Sequence, residues 1–258
     1  MTADTLADGA RKPAPFSHDM NTQDGARAIL QHIEAVYVPV HDYVSVRESD
    51  YQHLDIAFYR SSRLYLEAQA FLHLEDCEDR TLAAAPGNVF KPMMIRVMVS
   101  LDGTIMAGIY DPRVKPLWIR ILLFVLGKLP GGTIDLETEF VDGSFICTSN
   151  AMTASALSKP ALIDCEYLPS KTPIPRILAR HRERVSQKRE KAEIEPHRFL
   201  TIDAVRASQG RMIGIKAAFR KEIGGVTKEE LARVFSGSPG LADEVHREIT
   251  KLQDKDND

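Results

Sequence analysis

Two stretches in the middle of the chain alternate apolar and polar residues on either side of an Asp-Gly pair. They are MMIRVMVSL, Asp102-Gly103, TIMAGIY and TIDLETEFV, Asp142-Gly143, SFICTSNA, and each pattern predicts a β-hairpin. Read as two-residue type I′ turns, the second hairpin sets Phe140 opposite Phe145, Thr138 opposite Cys147 and Leu136 opposite Ser149. Asp135, Glu137 and Glu139 then share the other face, which is expected to meet solvent. The first hairpin is apolar on nearly both faces and belongs nearer the sheet centre. ALIDCEYL reads as a further strand, so an antiparallel sheet of about five strands is expected. Upstream, residues 26–37 predict a short helix and VYVPVHDYVSV a strand interrupted by Pro39. Residues 47–70 carry Tyr51, Leu54, Phe58, Leu64 and Ala68 at helical spacing.

The most apolar run, PLWIRILLFVLGKLP, lies between the hairpins. As a helix, Leu117 to Leu129 spans only about 20 Å, against roughly 30 Å of membrane hydrocarbon. Arg120 interrupts it and prolines or glycines close both ends, so it is expected to fill the core beneath the sheet rather than to cross a membrane. Its apolar arc is also too wide for a helix lying on a bilayer.

Beyond Leu168 the pattern turns helical. Lys171 to Lys191 predicts a basic helix, Thr201 to Ile223 a second, and Thr227 with Glu230 a capping box opening a third. Ser238-Pro239 leads into a last helix from Leu241 to Leu252. The organisation expected is a flexible tail over residues 1–25, an α+β body over 26–170 and a helical region over 171–258.

Composition changes this picture little. With 44% hydrophobic and 27% charged residues and a net charge of −3, the chain is globular and carries no global field for nucleic acid or anionic lipid. The N-terminal stretch is polar and lacks the apolar core of a signal peptide. Cys77, Cys147 and Cys165 are odd in number and unaccompanied by metal-ligand spacing. No disulfide framework, metal site or cofactor is expected, and a cytoplasmic setting follows.

Candidate chemistry is sparse. Asp135, Glu137 and Glu139 point one way at period two and could hold a cation or work as acid and base, though a solvated strand face accounts for them as well. A polar site at the sheet mouth would combine Glu137 and Glu139 with Thr148 and Asn150. Arg180, Arg184 and Lys188 on the basic helix are candidates for a polyanion, but the helix has no aromatic for base stacking, and a solvated face again accounts for them. His41-Asp42 suggests a carboxylate-oriented imidazole, yet neighbours on a strand face opposite ways. The acids of the last helix argue against specific DNA reading. With no nucleotide-binding loop, nucleophile elbow or metalloprotease motif in view, the sequence favours a non-enzymatic binding or protein-interaction module. Its partner would be another protein or a second copy. The alternatives are a hydrolase or transferase at the sheet mouth, and peripheral attachment to an anionic membrane through the basic helix.

Overall fold

The computed structural model describes residues 22–38, 40–85, 88, 90–113, 115, 131–151, 157–235 and 239–255. The apolar run from Pro116 to Pro130, expected as a core helix, lies outside them. In chain order the elements are α1 (Thr22–Val36), β1 (Tyr43–Ser45), a 3-10 turn (Glu48–Tyr51), α2 (Ile56–Ala68), β2 (Phe71–Asp79), α3 (Arg80–Ala84), β3 (Ile95–Ser100) and β4 (Met106–Tyr110). There follow β5 (Thr133–Glu139), β6 (Phe145–Ser149), β7 (Ile163–Tyr167), α4 (Ile174–Ala192), α5 (Ile202–Glu222), α6 (Lys228–Val234) and α7 (Pro239–Lys255).

The protein is α+β, but among the described residues its sheet has seven strands rather than about five, and it is mixed. The strands lie side by side in sequence order, antiparallel from β1 to β6, with β7 parallel to β6. The β6–β7 connection over residues 150–162 is long enough to return the chain to the starting end of β6, which a tight turn cannot do. β2, reading FLHLEDCED, gives no alternation, and its acids take hydrogen bonds and ion pairs from other elements. Asp76 accepts from Arg96, Glu75 from Arg206, Glu78 from Tyr51 and Asp79 from His41.

Both Asp-Gly hairpins form, but not through type I′ turns. In each, the glycine amide donates to the carbonyl three residues back, Gly103 to Ser100 at 2.7 Å and Gly143 to Phe140 at 2.9 Å. Only the glycines adopt positive φ, +76° and +79°. This is a type I turn closed by a left-handed glycine, a bulged hairpin. The bulge moves the register by one residue, so Glu137 lies opposite Cys147 and Asp135 opposite Ser149. A one-residue slip turns every side chain of one strand to the other face relative to its partner. The acids therefore share a face with Phe145, Cys147 and Ser149, the reverse of the expected pairing.

Helices cover both faces. On one, Tyr59 and Leu66 of α2 and Ile177 and Leu178 of α4 pack on Met98, Ala107, Ile109, Ile134 and Leu136. On the other, the approach to α5 and the helix itself bring Phe199 and Val205 onto Val99 and Met106, and Met212 onto Phe145, Cys147 and Ile163. The acid-bearing face, expected to be solvated, thus lies beneath α5. α1, α6 and α7 form a separate apolar cluster around Ala26, Leu231, Val245 and Ile249. The Thr227–Glu230 capping box opens α6 as its spacing implies.

Candidate functional site

The sheet divides the residues expected at its mouth. Glu137 and Glu139 face α5, whereas Thr148 faces α4, where its hydroxyl meets His181 Nδ1 at 3.0 Å and accepts from Arg184 at 2.8 Å. Asn150 is buried as a backbone bracket: its Oδ1 accepts from Ile134 N, and its Nδ2 donates to the carbonyls of Gly132 and Ser170. The four side chains do not meet around one space. The basic-helix candidates are engaged within the protein. Arg180 pairs with Glu166 and Glu183; Arg184 is 7% exposed and binds Asp164, Glu166 and the Cys147 carbonyl; Lys188 donates to Ser144 and lies over the Phe140 ring. Arg184 is an anchor of β6 and β7, not part of a solvated face.

Beneath α5 the acid row meets a mixed helix stripe. Val205, Ser208, Gln209, Met212 and Lys216 recur at intervals of three and four, so polar and apolar side chains alternate over the sheet. Glu139 is satisfied by Arg211 Nε and Nη2 and the Ser208 hydroxyl, which outweigh burial and hold its carboxyl below the usual range. Glu137 accepts from Gln209 and Asp135 from the Tyr110 hydroxyl. Burial raises both carboxyls, opposed at Asp135 chiefly by hydrogen bonds from Ser149 and Tyr110 and at Glu137 by the Lys216 ammonium. Among the described residues no three metal-ligating side chains gather into a group that could hold an ion.

β1 and α5 flank a cavity of about 370 Å³ lined by His41, Tyr43, Arg206, Gly210 and Ile213, with Val40 and Asp42. The His41 side chain is 3% exposed, and its ring stacks near that of Tyr43 at 5.9 Å. Its Nδ1 lies 2.6 Å from Asp79 Oδ2. A carboxylate only accepts, so Nδ1 donates. Asp79 is supplied by the β1–β2 register, where it lies opposite Tyr43, and its other oxygen accepts from Leu82 N to cap α3. The Asp79 hydrogen bond raises the His41 pKa above its ordinary value; burial opposes it, and the Asp79 charge and the Val36 carbonyl add to it. His41 Nε2 is buried without a hydrogen-bond partner. Arg206 gives one terminal nitrogen to Glu75 at 2.7 Å, while its Nε is buried without a partner.

This pocket was not legible in the chain. Adjacent Asp42 is unsuited to orient the imidazole because strand neighbours face opposite ways, and the carboxylate that does so comes from 38 residues away. Arg206 lies in a helix whose contact with β1 and β2 no local pattern announces. The class of protein is therefore an α+β sheet clothed by helices on both faces, with a polar pocket by its β1 edge. Compared with protein-family models, curated proteins and solved structures, the chain matches none. Among the described residues no helix is long and apolar enough to cross a membrane.

Proposed function

We propose that the chain is a binding module that takes a small carboxylate into the cavity between β1 and α5. The observation that carries this reading is that two buried nitrogens without partners, His41 Nε2 and Arg206 Nε, belong to residues lining one cavity. Arg206 Nε, and His41 Nε2 once the imidazole is protonated, are donors without acceptors, each costing about 1–3 kcal/mol that a ligand oxygen relieves. The volume suits a small molecule. Asp79 offsets His41 and Glu75 offsets Arg206, so a monoanion or a compact carboxylate is better matched than a phosphate dianion.

The test is thermal-shift and calorimetric titration of the full chain with acetate, lactate and succinate, and with inorganic phosphate as a separate arm. A carboxylate should stabilise the wild type and lose that effect in His41→Gln and Arg206→Leu. Because the ligand needs a charged imidazole, affinity should fall roughly tenfold as the pH rises through the raised His41 pKa. Stabilisation by phosphate alone, or by carboxylates equally in both variants, refutes the assignment.

The Asp79–His41 pair supports a second reading. An imidazole oriented by a carboxylate, with its other nitrogen free, is suited to proton transfer. A hydrolase or transferase would then use His41 as acid or base at this cavity, with Asp79 positioning it, rather than a site joining Glu137, Glu139, Thr148 and Asn150. Attachment to an anionic membrane through α4 draws less support, because Arg180, Arg184 and Lys188 already have partners inside the protein.

A further inference from the structure

Cys147 on β6 and Cys165 on β7 are direct partners in the parallel β6–β7 pairing, on the face covered by α5. Strands lie about 4.8 Å apart, inside the 4.4–6.8 Å range of Cα separations that a disulfide accepts. The two thiols are not equivalent. Cys147 is buried against Phe145, Ile163 and Met212, whereas Cys165 is only partly covered. Two cations attend the pair. Lys159 places its ammonium 4.0 Å above the ring of Tyr167, two residues along β7 from Cys165 on the same face. Lys216, on α5, follows Ile215, which packs against the cysteines.

We propose that Cys147 and Cys165 form a peroxide-oxidisable dithiol, Cys165 being the attacking thiolate and Cys147 the resolving thiol. This site rests on residues separate from the carboxylate cavity and stands or falls independently of it. The electrostatics agree with the geometry. The Cys147 hydrogen bond, then Lys159 and Lys216, bring the Cys165 thiol down to about 7 against the effect of burial. Cys147 is held protonated by its bond to Cys165 and by burial. Cys77, the third cysteine, has no thiol partner across a strand pair, and burial chiefly pushes it up to about 12 despite the opposing Arg206 charge.

The steps balance as follows. The Cys165 thiolate attacks one oxygen of a hydroperoxide, the S–O bond forms, the O–O bond breaks, and the departing hydroxide or alkoxide takes a proton from solvent. Sulfur loses two electrons to the peroxide and becomes a sulfenic acid. Cys147 then attacks that sulfur, the S–S bond forms, the S–O bond breaks, and hydroxide leaves with the Cys147 proton as water. With hydrogen peroxide, the sum is two thiols and one peroxide giving one disulfide and two waters.

The experiment is peptide mapping by mass spectrometry of the folded full chain after equimolar hydrogen peroxide, with dimedone present to trap sulfenic acid. The wild type should lose two hydrogens and yield a Cys147–Cys165 cross-link, with Cys77 still reduced. Cys147→Ser should carry dimedone on Cys165, and Cys165→Ser should give neither product. Should a serine variant misfold, the wild-type map alone decides. A chain left reduced, a disulfide between two copies, oxidation of Cys77 at the same rate, or over-oxidation without a cross-link each overturns the proposal.

Discussion

His181 lies fully buried between Thr138 and Thr148, each within 3.0 Å of a ring nitrogen. Burial, with the charges of Arg184 and Arg182, pushes its pKa down to about 3, so the folded protein holds it neutral. An unfolded histidine titrates near 6.5, so below that pH the unfolded chain binds a proton that the folded chain refuses. The contribution of His181 is therefore complete above about 6.5 and declines as the pH falls toward 3. Relative to His181→Gln, the stability advantage of the wild type should shrink by roughly 1.4 kcal/mol per pH unit below about 6.5. Urea denaturation of both proteins at pH 7 and pH 5 measures it, and an unchanged gap would show that His181 already titrates normally when folded. The His41 ring is also largely covered but answers with the opposite sign, because a carboxylate rather than two hydroxyls sits against it.

The two bulged hairpins separate backbone conformation from packing. Gly103 and Gly143 share the left-handed conformation, which asparagine tolerates better than other side chains. A Cβ on Gly143 meets nothing within 4 Å, whereas one on Gly103 comes to 3.1 Å from both Leu200 Cδ2 and the Phe199 amide. That amide is tied to the Gly103 carbonyl at 2.8 Å, so the approach to α5 cannot simply step aside. Gly143→Asn should cost less than about 1 kcal/mol, and Gly103→Asn an additional 1–3 kcal/mol or so from overpacking. Equal denaturation midpoints for the two variants would mean that the 199–200 segment yields freely.

Across the molecule, α5 is the element that joins the parts. Its first half lies on the sheet, and near its C-terminal end Arg220 reaches the helical cluster. The guanidinium donates to both oxygens of Glu230 at 2.6 and 2.7 Å and to the carbonyls of Gly225 and Ser158. Glu230 also accepts from the Thr227 and Ser158 amides. One ion pair therefore ties α5, α6 and the β6–β7 connection. Arg220→Leu leaves Glu230 buried with its charge unpaired and should cost roughly 3–5 kcal/mol in denaturant unfolding. Adding Glu230→Leu removes the stranded charge and should recover part of that loss. A double variant no more stable than the single one would show that geometry, rather than uncompensated charge, sets the cost.

Strong local patterns were legible without a fold. The Asp-Gly hairpins, the capping box at Thr227 and the α5 helix follow from residues within a few positions of one another, as does the α+β class. β2 was hidden because its acids are hydrogen-bonded by Tyr51 and paired with Arg96, His41 and Arg206, partners that sequence distance conceals. The acid row was assigned to the wrong environment through one bulge in the β5–β6 turn and through α5, whose docking on that face no local pattern records. The candidate site divides in the same way. Its residue types stand in the chain, but Asp79 beneath His41, Arg206 beside them and Cys165 beside Cys147 are meetings made by strand register and helix packing. Short-range periodicity determines which elements form, because hydrogen bonding and side-chain direction repeat within a few residues. Which charges meet, and which nitrogens remain without partners, depends on contacts between distant segments, and only the tertiary structure decides those.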